Sequence, residues 1–180
     1  MTPDPAERGG LPESEAPPPL PRKVPDHLFL YIDGASAGNP GPAGAAAVLK
    51  DEEGTTLLEK ARAFGPATSN VAEYQALLLG LELAAQLRPR LLTIRSDSEL
   101  LVRQLAGQYR VKAAKLKGLY NQARRMLAPL EGVEIESIPR TQNAEADRLA
   151  AKACQKAKEV QAVLPPQSRG AGPGKVFRLK

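Results

Sequence analysis

Cysteine is almost absent: Cys154 is the only one in 180 residues, which excludes an internal disulfide and a thiolate-cluster metal site. Tryptophan is missing and aromatic residues reach only 4%, so a core has to be built from Leu, Ala, Val and Ile. No apolar run approaches the roughly 20 residues needed to span a bilayer. Met1 to Pro25, rich in Pro, Glu and Gly, has no apolar stretch of the signal-peptide kind. A cytoplasmic address and no membrane partner are therefore expected. Acids are absent from Leu100 to Leu130, where Arg103, Arg110, Lys112, Lys115, Lys117, Arg124 and Arg125 stand unbalanced. Local charge of one sign without an accompanying aromatic face suits a polyanion better than a membrane. A solvated helix surface is the other reading.

What is present falls into three zones. Residues 1–26 are Pro-rich and expected to be disordered, residues 27–159 alternate strand and helix patterns, and residues 160–180 read as a flexible basic tail. The middle zone opens with three strand patterns, Leu28 to Asp33, Ala43 to Lys50 and Thr55 to Phe64. A Gly/Pro turn joins the first two, and Asp51-Glu52-Glu53-Gly54 joins the second to the third as a hairpin. Val71, Tyr74, Leu77, Leu78, Leu81 and Ala85 then recur at helical spacing over Asn70 to Gln86, ended by Arg88-Pro89-Arg90. A strand over Leu91 to Ser96 follows, then helices over Ser98 to Ala106 and Ala113 to Leu127. A strand over Val133 to Ile138 and a last Ala-rich helix from Asn143 to about Glu159 complete the pattern. The order βββαβααβα predicts an α/β fold: a five-stranded mixed sheet, three antiparallel strands followed by βα units, with helices on both faces.

Four acids stand at element boundaries: Asp33, Glu73, Asp97 and Asp147. Each has a structural alternative. Asp33, closing a strand before a glycine-rich turn, is a natural turn former, although the following Gly38-Asn39-Pro40-Gly41 also lets backbone N–H groups approach phosphates. Glu73 lies three residues after Asn70, the spacing of a capping box. Ser96 and Glu99 can form another, with Asp97 in the first helical turn favoured by the macrodipole. Asp147 lies one turn inside a helix for which Asn143 is a good N-cap. It faces inward beside Leu149-Ala150, so it needs a positive partner; Arg148 points elsewhere, which favours a metal. An ionised carboxylate is costly to bury without partners, and four that the topology brings to one edge are hard to explain by capping alone. Asp33 and Asp97 are expected side by side on adjacent strands, at the carboxyl edge where α/β sites form.

Tyr31-Ile32-Asp33-Gly34-Ala35-Ser36 with Gly38-Asn39-Pro40-Gly41, Thr68-Ser69-Asn70-Val71-Ala72-Glu73, Ser96-Asp97-Ser98 and Gln142-Asn143-Ala144-Glu145-Ala146-Asp147 together resemble type 1 ribonuclease H, over roughly residues 28 to 155. The resemblance implies the ribonuclease H-like fold, with residues 27–159 as that domain. It implies an endoribonuclease that hydrolyses the RNA strand of RNA–DNA hybrids, leaving 5′-phosphate and 3′-hydroxyl ends. Asp33, Glu73, Asp97 and Asp147 would be the catalytic acids, binding two Mg²⁺ for which Mn²⁺ can substitute. Such hard ions prefer carboxylate oxygen. Ser36, Asn39, Ser69 and Asn70 match positions that approach the minor groove and the RNA 2′-hydroxyls. Thr68 matches a position lining a pocket for a DNA-strand phosphate, and Asn143 is grouped with these substrate contacts. A monomer is expected.

Two departures accompany the resemblance. Ala106 to Ala113 is a short connection without Trp, where many family members carry a basic, Trp-containing protrusion. The loop Ile138-Pro139-Arg140-Thr141-Gln142-Asn143 lacks the histidine that many members place before the last acid. Arg140 stands there instead, as an aid to turnover, a phosphate contact or a plain loop residue; His27 is expected at the surface. The chain thus resembles the branch of the family that lacks both features. Competing readings are another carboxylate–metal nuclease of the same superfamily, a non-catalytic hybrid- or dsRNA-binding module, and an adaptor presenting the Pro-rich segment.

Overall fold

A computed structural model describes residues 23–164, so the expectations for residues 1–22 and 165–180 lie outside the described residues. Five strands and four helices follow in the order β1 (His27–Ser36), β2 (Gly41–Lys50), β3 (Thr56–Ala67), α1 (Ser69–Leu87), β4 (Leu91–Ser96), α2 (Glu99–Leu105), α3 (Ala114–Leu127), β5 (Gly132–Ser137) and α4 (Ala144–Val163), with one 3₁₀ turn at Arg140–Gln142 before α4. The expected βββαβααβα order holds. The sheet order is β3-β2-β1-β4-β5. β1 pairs antiparallel with β2, and β2 with β3, while β1–β4 and β4–β5 are parallel.

The first three strands are longer than their sequence pattern. β1 does not stop at Asp33 but continues to Ser36, held by pairing of Gly34 with Ala45 and Ser36 with Ala43. Gly, Ala and Ser carry weak strand preference, and here the ladder rather than the side chains keeps them extended. Pairing with β4, by contrast, ends at Tyr31 opposite Arg95. Asp33 therefore sits where β1 has left one neighbour and kept the other, an opening in the sheet edge. The β2–β3 hairpin closes as expected, with Asp51 Oδ1 accepting from the N–H groups of Glu53 and Thr55 at 3.0 and 2.8 Å and Gly54 supplying a left-handed residue.

Leu28, Leu30 and Ile32 of β1 are fully buried with Tyr74, Leu77 and Leu79 of α1. α1 packs on β1, β2 and β3 and also on α3, which is why nearly its whole circumference is apolar. α4 lies across β1, β2 and β3 and presents Ala146, Ala150, Ala153 and Cys154 as its buried positions. Small residues let it come close: a Cβ on Gly44 would stand 2.4 Å from Ala150 O and from Cys154 N. Among the described residues no helix is long and apolar enough to cross a membrane.

The helix starts differ from the expected capping boxes. α1 is capped by Thr68, whose side chain accepts from Val71 N at 3.2 Å, not by Asn70. α2 is capped by Ser98, accepting from Leu101 N, while Ser96 Oγ accepts from Ser98 N and Glu99 turns to Arg103. In each case several small hydroxyl or amide residues stand in a row, and the backbone turn, not the spacing to the next Glu, selects the one that caps. His27 also departs from expectation: it is the first residue of β1 and only partly exposed, with its Nε2 2.8 Å from Thr93 Oγ1.

Candidate active site

The four acids come from four separate elements. Asp33 extends from β1 and is only 5% exposed, Glu73 lies in the first turns of α1, Asp97 follows β4, and Asp147 lies one turn into α4. All four line one cleft of about 690 Å³, together with Gly34, Ser36, Ser69, Asn70, Ser98 and Arg140. Asp33, Glu73 and Asp97 each offer a carboxylate oxygen within 4.8 Å of the others. Asp147 stands outside that closest triad but lines the same cleft, and its negative charge bears on Asp33.

Glycine makes the approach of the first two acids possible. A Cβ on Gly34 would fall 2.3 Å from Ala72 C and 2.4 Å from Glu73 N, so a side chain there would push the start of α1 away from β1. The turn after β1 is tied to the same helix start. Asn39 Oδ1 accepts from Ser69 N at 3.1 Å, and Ser36 Oγ donates to Ala67 O at 2.8 Å. β1, its glycine-rich turn and the N-terminus of α1 thus hold each other in place.

Electrostatically the cluster is unbalanced. Burial, then the negative charges of Asp97 and Asp147 and hydrogen bonds to both, push Asp33 up to about 8. Burial also dominates at Glu73, followed by the charges of Asp33 and Asp97, and carries it to about 9 against a lowering hydrogen bond from the Gly34 backbone. Among the described residues Glu73 Oε2 is buried without a hydrogen-bond partner. An orphaned carboxylate oxygen facing two other carboxylates is the environment a hard divalent cation relieves. The donor set, oxygen alone, fits such an ion.

The remaining expected site residues divide. Ser69 and Asn70 are exposed on the cleft wall. Ser36, Asn39 and Thr68 are engaged in the internal bonds already described, although the Asn39 amide N–H₂ has no partner among the described residues. Asn143 departs from the expected substrate contact. It is 1% exposed, and its Nδ2 donates to Ile32 O at 2.9 Å, so its side chain neither caps α4 nor faces the cleft. It ties α4 to the residue before Asp33.

Asp147 also has the positive partner that the sequence reading missed. Arg140 Nη2 lies 3.0 Å from Asp147 Oδ1, and the carboxylates of the cleft strengthen the hold of Arg140 on its proton. The signal was a single base at i−7 across a 3₁₀ turn, a spacing that helical periodicity does not flag. Of the basic run after Leu100, Arg103 is paired with Glu99 at 2.7 Å, whereas the other six form no ion pair among the described residues.

Known proteins resemble this chain in sequence and in fold. Residues 31–153 match the family model described as reverse transcriptase-like. The RNase H1 of Halobacterium salinarum, a solved structure, is 37% identical and superposes with a TM-score of 0.70 over 72% of this chain and 98% of its own. The chain belongs to the type 1 ribonuclease H family. Two further proteins are similar. The bifunctional protein Rv2228c of Mycobacterium tuberculosis is 41% identical over 124 residues, 68% of this chain but only 34% of that protein. Its N-terminal RNase H domain is matched with a TM-score of 0.73 over 75% of this chain and 98% of the domain. LC11-RNase H1, solved in complex with an RNA/DNA hybrid, is 40% identical with a TM-score of 0.69, covering 73% and 99% of the two chains. This chain thus spans about a third of the full-length mycobacterial relative, and the match concerns its ribonuclease H portion.

Proposed function

We propose that the protein is an endoribonuclease that hydrolyses the RNA strand of RNA–DNA hybrids, leaving 5′-phosphate and 3′-hydroxyl ends. The observation that carries this reading is the convergence of Asp33, Glu73, Asp97 and Asp147 on one cleft, three of them each offering an oxygen within 4.8 Å of the others, with Glu73 Oε2 buried and unpartnered among the described residues. These four residues would hold two Mg²⁺ ions, Mn²⁺ substituting. When bound, such ions supply positive charge to the scissile phosphate and make water a nucleophile near neutral pH.

The chain's own groups prepare the site. Burial and mutual repulsion hold Asp33 and Glu73 toward their protonated forms in the bare cluster, and bound cations would supply the counter-charge that lets them ionise. Gly34 and the Asn39–Ser69 bond fix the approach of β1 to α1, so the carboxylates need little rearrangement. Arg140, largely exposed at the cleft, pairs with Asp147 and can turn its guanidinium toward an incoming phosphate, to which it is well matched. The side chains of Ser69 and Asn70 and the free amide of Asn39 supply donors and acceptors to a 2′-hydroxyl, the group that distinguishes RNA from DNA. That requirement selects the strand to be cut.

The test is a Mg²⁺-dependent cleavage assay on hybrid, dsRNA, dsDNA and single strands, with Asp97→Asn as the variant. Hybrid is expected to be cut preferentially. Removing one ligand of the site should lower the rate by at least about a hundredfold, because the lost charge stabilisation is several kcal/mol. Undiminished cleavage by Asp97→Asn defeats the site assignment, and equal rates on dsDNA defeat the 2′-hydroxyl argument.

A further inference from the structure

Three residues in direct register form a row across the sheet: Tyr31 of β1, Arg95 of β4 and Glu136 of β5. The Arg95 guanidinium joins all three strands. Its Nη1 donates to Tyr31 Oη and its Nε to Glu136 Oε2, both at 2.7 Å, and it lies 4.5 Å from the centre of the Phe29 ring, two residues earlier on β1. Tyr31 is also met by Lys50 of β2, whose Nζ stands 5.5 Å from the ring centre and 2.6 Å from Glu145 Oε2 in the first turn of α4. A run of contacts between half-buried side chains thus links β5, β4, β1, β2 and α4.

This row borders the carboxylates. Residues two apart on a strand share a face and stand about 6–7 Å apart, so Asp33 follows Tyr31 on β1; Asp97 is likewise two residues after Arg95, one past the end of β4. It is also the last row that β1 and β4 share. Their pairing ends at Tyr31 and Arg95, whereas β4 stays with β5 through Ser96, whose O accepts from Ile138 N at 3.0 Å. Beyond this row no ladder bond between β1 and β4 fixes the angle of the fork, yet that angle sets how far Asp33 stands from Asp97. The Tyr31–Arg95 bond is the side-chain link at the fork. Charge does not explain it. Arg95 and Lys50 each have a carboxylate of their own, and no basic group offsets the burial and neighbouring carboxylates that raise Asp33 and Glu73. A cross-strand ion pair would need only Arg95 and Glu136. The second arm of the guanidinium, aimed at Tyr31, is a directional contact that a lysine cannot duplicate.

We infer that Tyr31 and Arg95 are positioning residues that hold Asp33 and Asp97 at the separation a small divalent cation requires. The inference rests on the proposed carboxylate site for Mg²⁺ and adds what keeps that site in shape. Mg²⁺ demands near-octahedral geometry with short oxygen distances, whereas Ca²⁺ accepts more ligands at longer and more variable ones. A small splay between β1 and β4 therefore weakens Mg²⁺ more than Ca²⁺, a signature that a general loss of stability does not produce.

The experiment is calorimetric titration of Mg²⁺ and, separately, Ca²⁺ into the metal-free full chain. The variants are Tyr31→Phe, which keeps the ring, and Arg95→Lys, which keeps the charge. Arg90→Ala is the control, because the Arg90–Glu131 pair lies just before β4 and β5, at the end of β4 away from Asp97. Arg95→Lys is expected to weaken Mg²⁺ binding about tenfold and Tyr31→Phe about threefold, with Ca²⁺ affinity kept within about twofold. Arg90→Ala should leave both affinities unchanged. Thermal unfolding of Tyr31→Phe is expected within about 4 °C of the unsubstituted protein, since only one partly exposed bond is lost. Mg²⁺ affinity unchanged in both variants, Mg²⁺ and Ca²⁺ weakened alike, or an equal loss in Arg90→Ala overturns the inference. An unsubstituted chain that binds neither cation and cuts no hybrid sinks the proposed function, and the inference with it, so the two failures are distinct.

Discussion

A carboxyl group stripped of water keeps its proton unless a cation replaces the lost solvation. Asp33 and Glu73 are raised to about 8 and about 9 for this reason. The sign of the consequence follows directly. Between the ordinary carboxylate range and pH 8 to 9 the folded chain holds more protons than the unfolded one, so stability is fully present at low pH and lost as pH rises through that window. Metal-free protein is expected to melt at a lower temperature at pH 9 than at pH 5, with a shallower dependence in Glu73→Gln and a rise in melting temperature when Mg²⁺ is added at pH 9. A pH dependence identical in the two proteins contradicts the assignment of Glu73 to a desolvated cluster. At this scale the sequence was informative where residue chemistry was unusual, as at Asp33 before a run of glycines. It was uninformative where a partner arrives from elsewhere, as with Arg140 and Asp147.

Elements carry the acids to one another. α4 bears Asp147 and is tied to β1 by Asn143, whose Nδ2 bonds Ile32 O across a sequence separation of 111 residues. Removing that amide leaves a buried carbonyl without its donor, a cost of about 1–3 kcal/mol. Asn143→Ala should show that loss in denaturant unfolding, with cleavage falling further than stability alone explains because Asp147 is no longer held toward Asp33. Unfolding indistinguishable from the unsubstituted protein would remove Asn143 from this role. Strand and helix existence was readable from periodicity, including the β2–β3 hairpin. Boundaries were not: Gly34-Ala35-Ser36 has no strand signal of its own, and the runs Thr68-Ser69-Asn70 and Ser96-Asp97-Ser98 offer several caps between which spacing cannot choose.

The whole molecule is a mixed sheet whose parallel half and antiparallel half separate at Asp33. The topology was legible because a Gly/Pro turn and a short hairpin force the first three strands to meander, and the later strand–helix alternation forces crossovers. The meeting of the four acids was legible only as a consequence of that topology. Their mutual distance was not, since it depends on Gly34 and Gly44 admitting α1 and α4 at close range. The charge distribution belongs to this scale too: seven bases and no acid lie over Leu100 to Leu130, and only Arg103 among them is paired with an acid among the described residues.

Calorimetric titration of Mg²⁺ or Mn²⁺ into the metal-free protein near pH 7.5, in two buffers of different ionisation enthalpy, tests the central claim most directly. Cation binding accompanied by proton release, both strongly reduced in Asp97→Asn, is the predicted result, because the cations displace protons from Asp33 and Glu73. Binding without proton release, or binding that Asp97→Asn leaves unchanged, would contradict a shared carboxylate site for divalent ions.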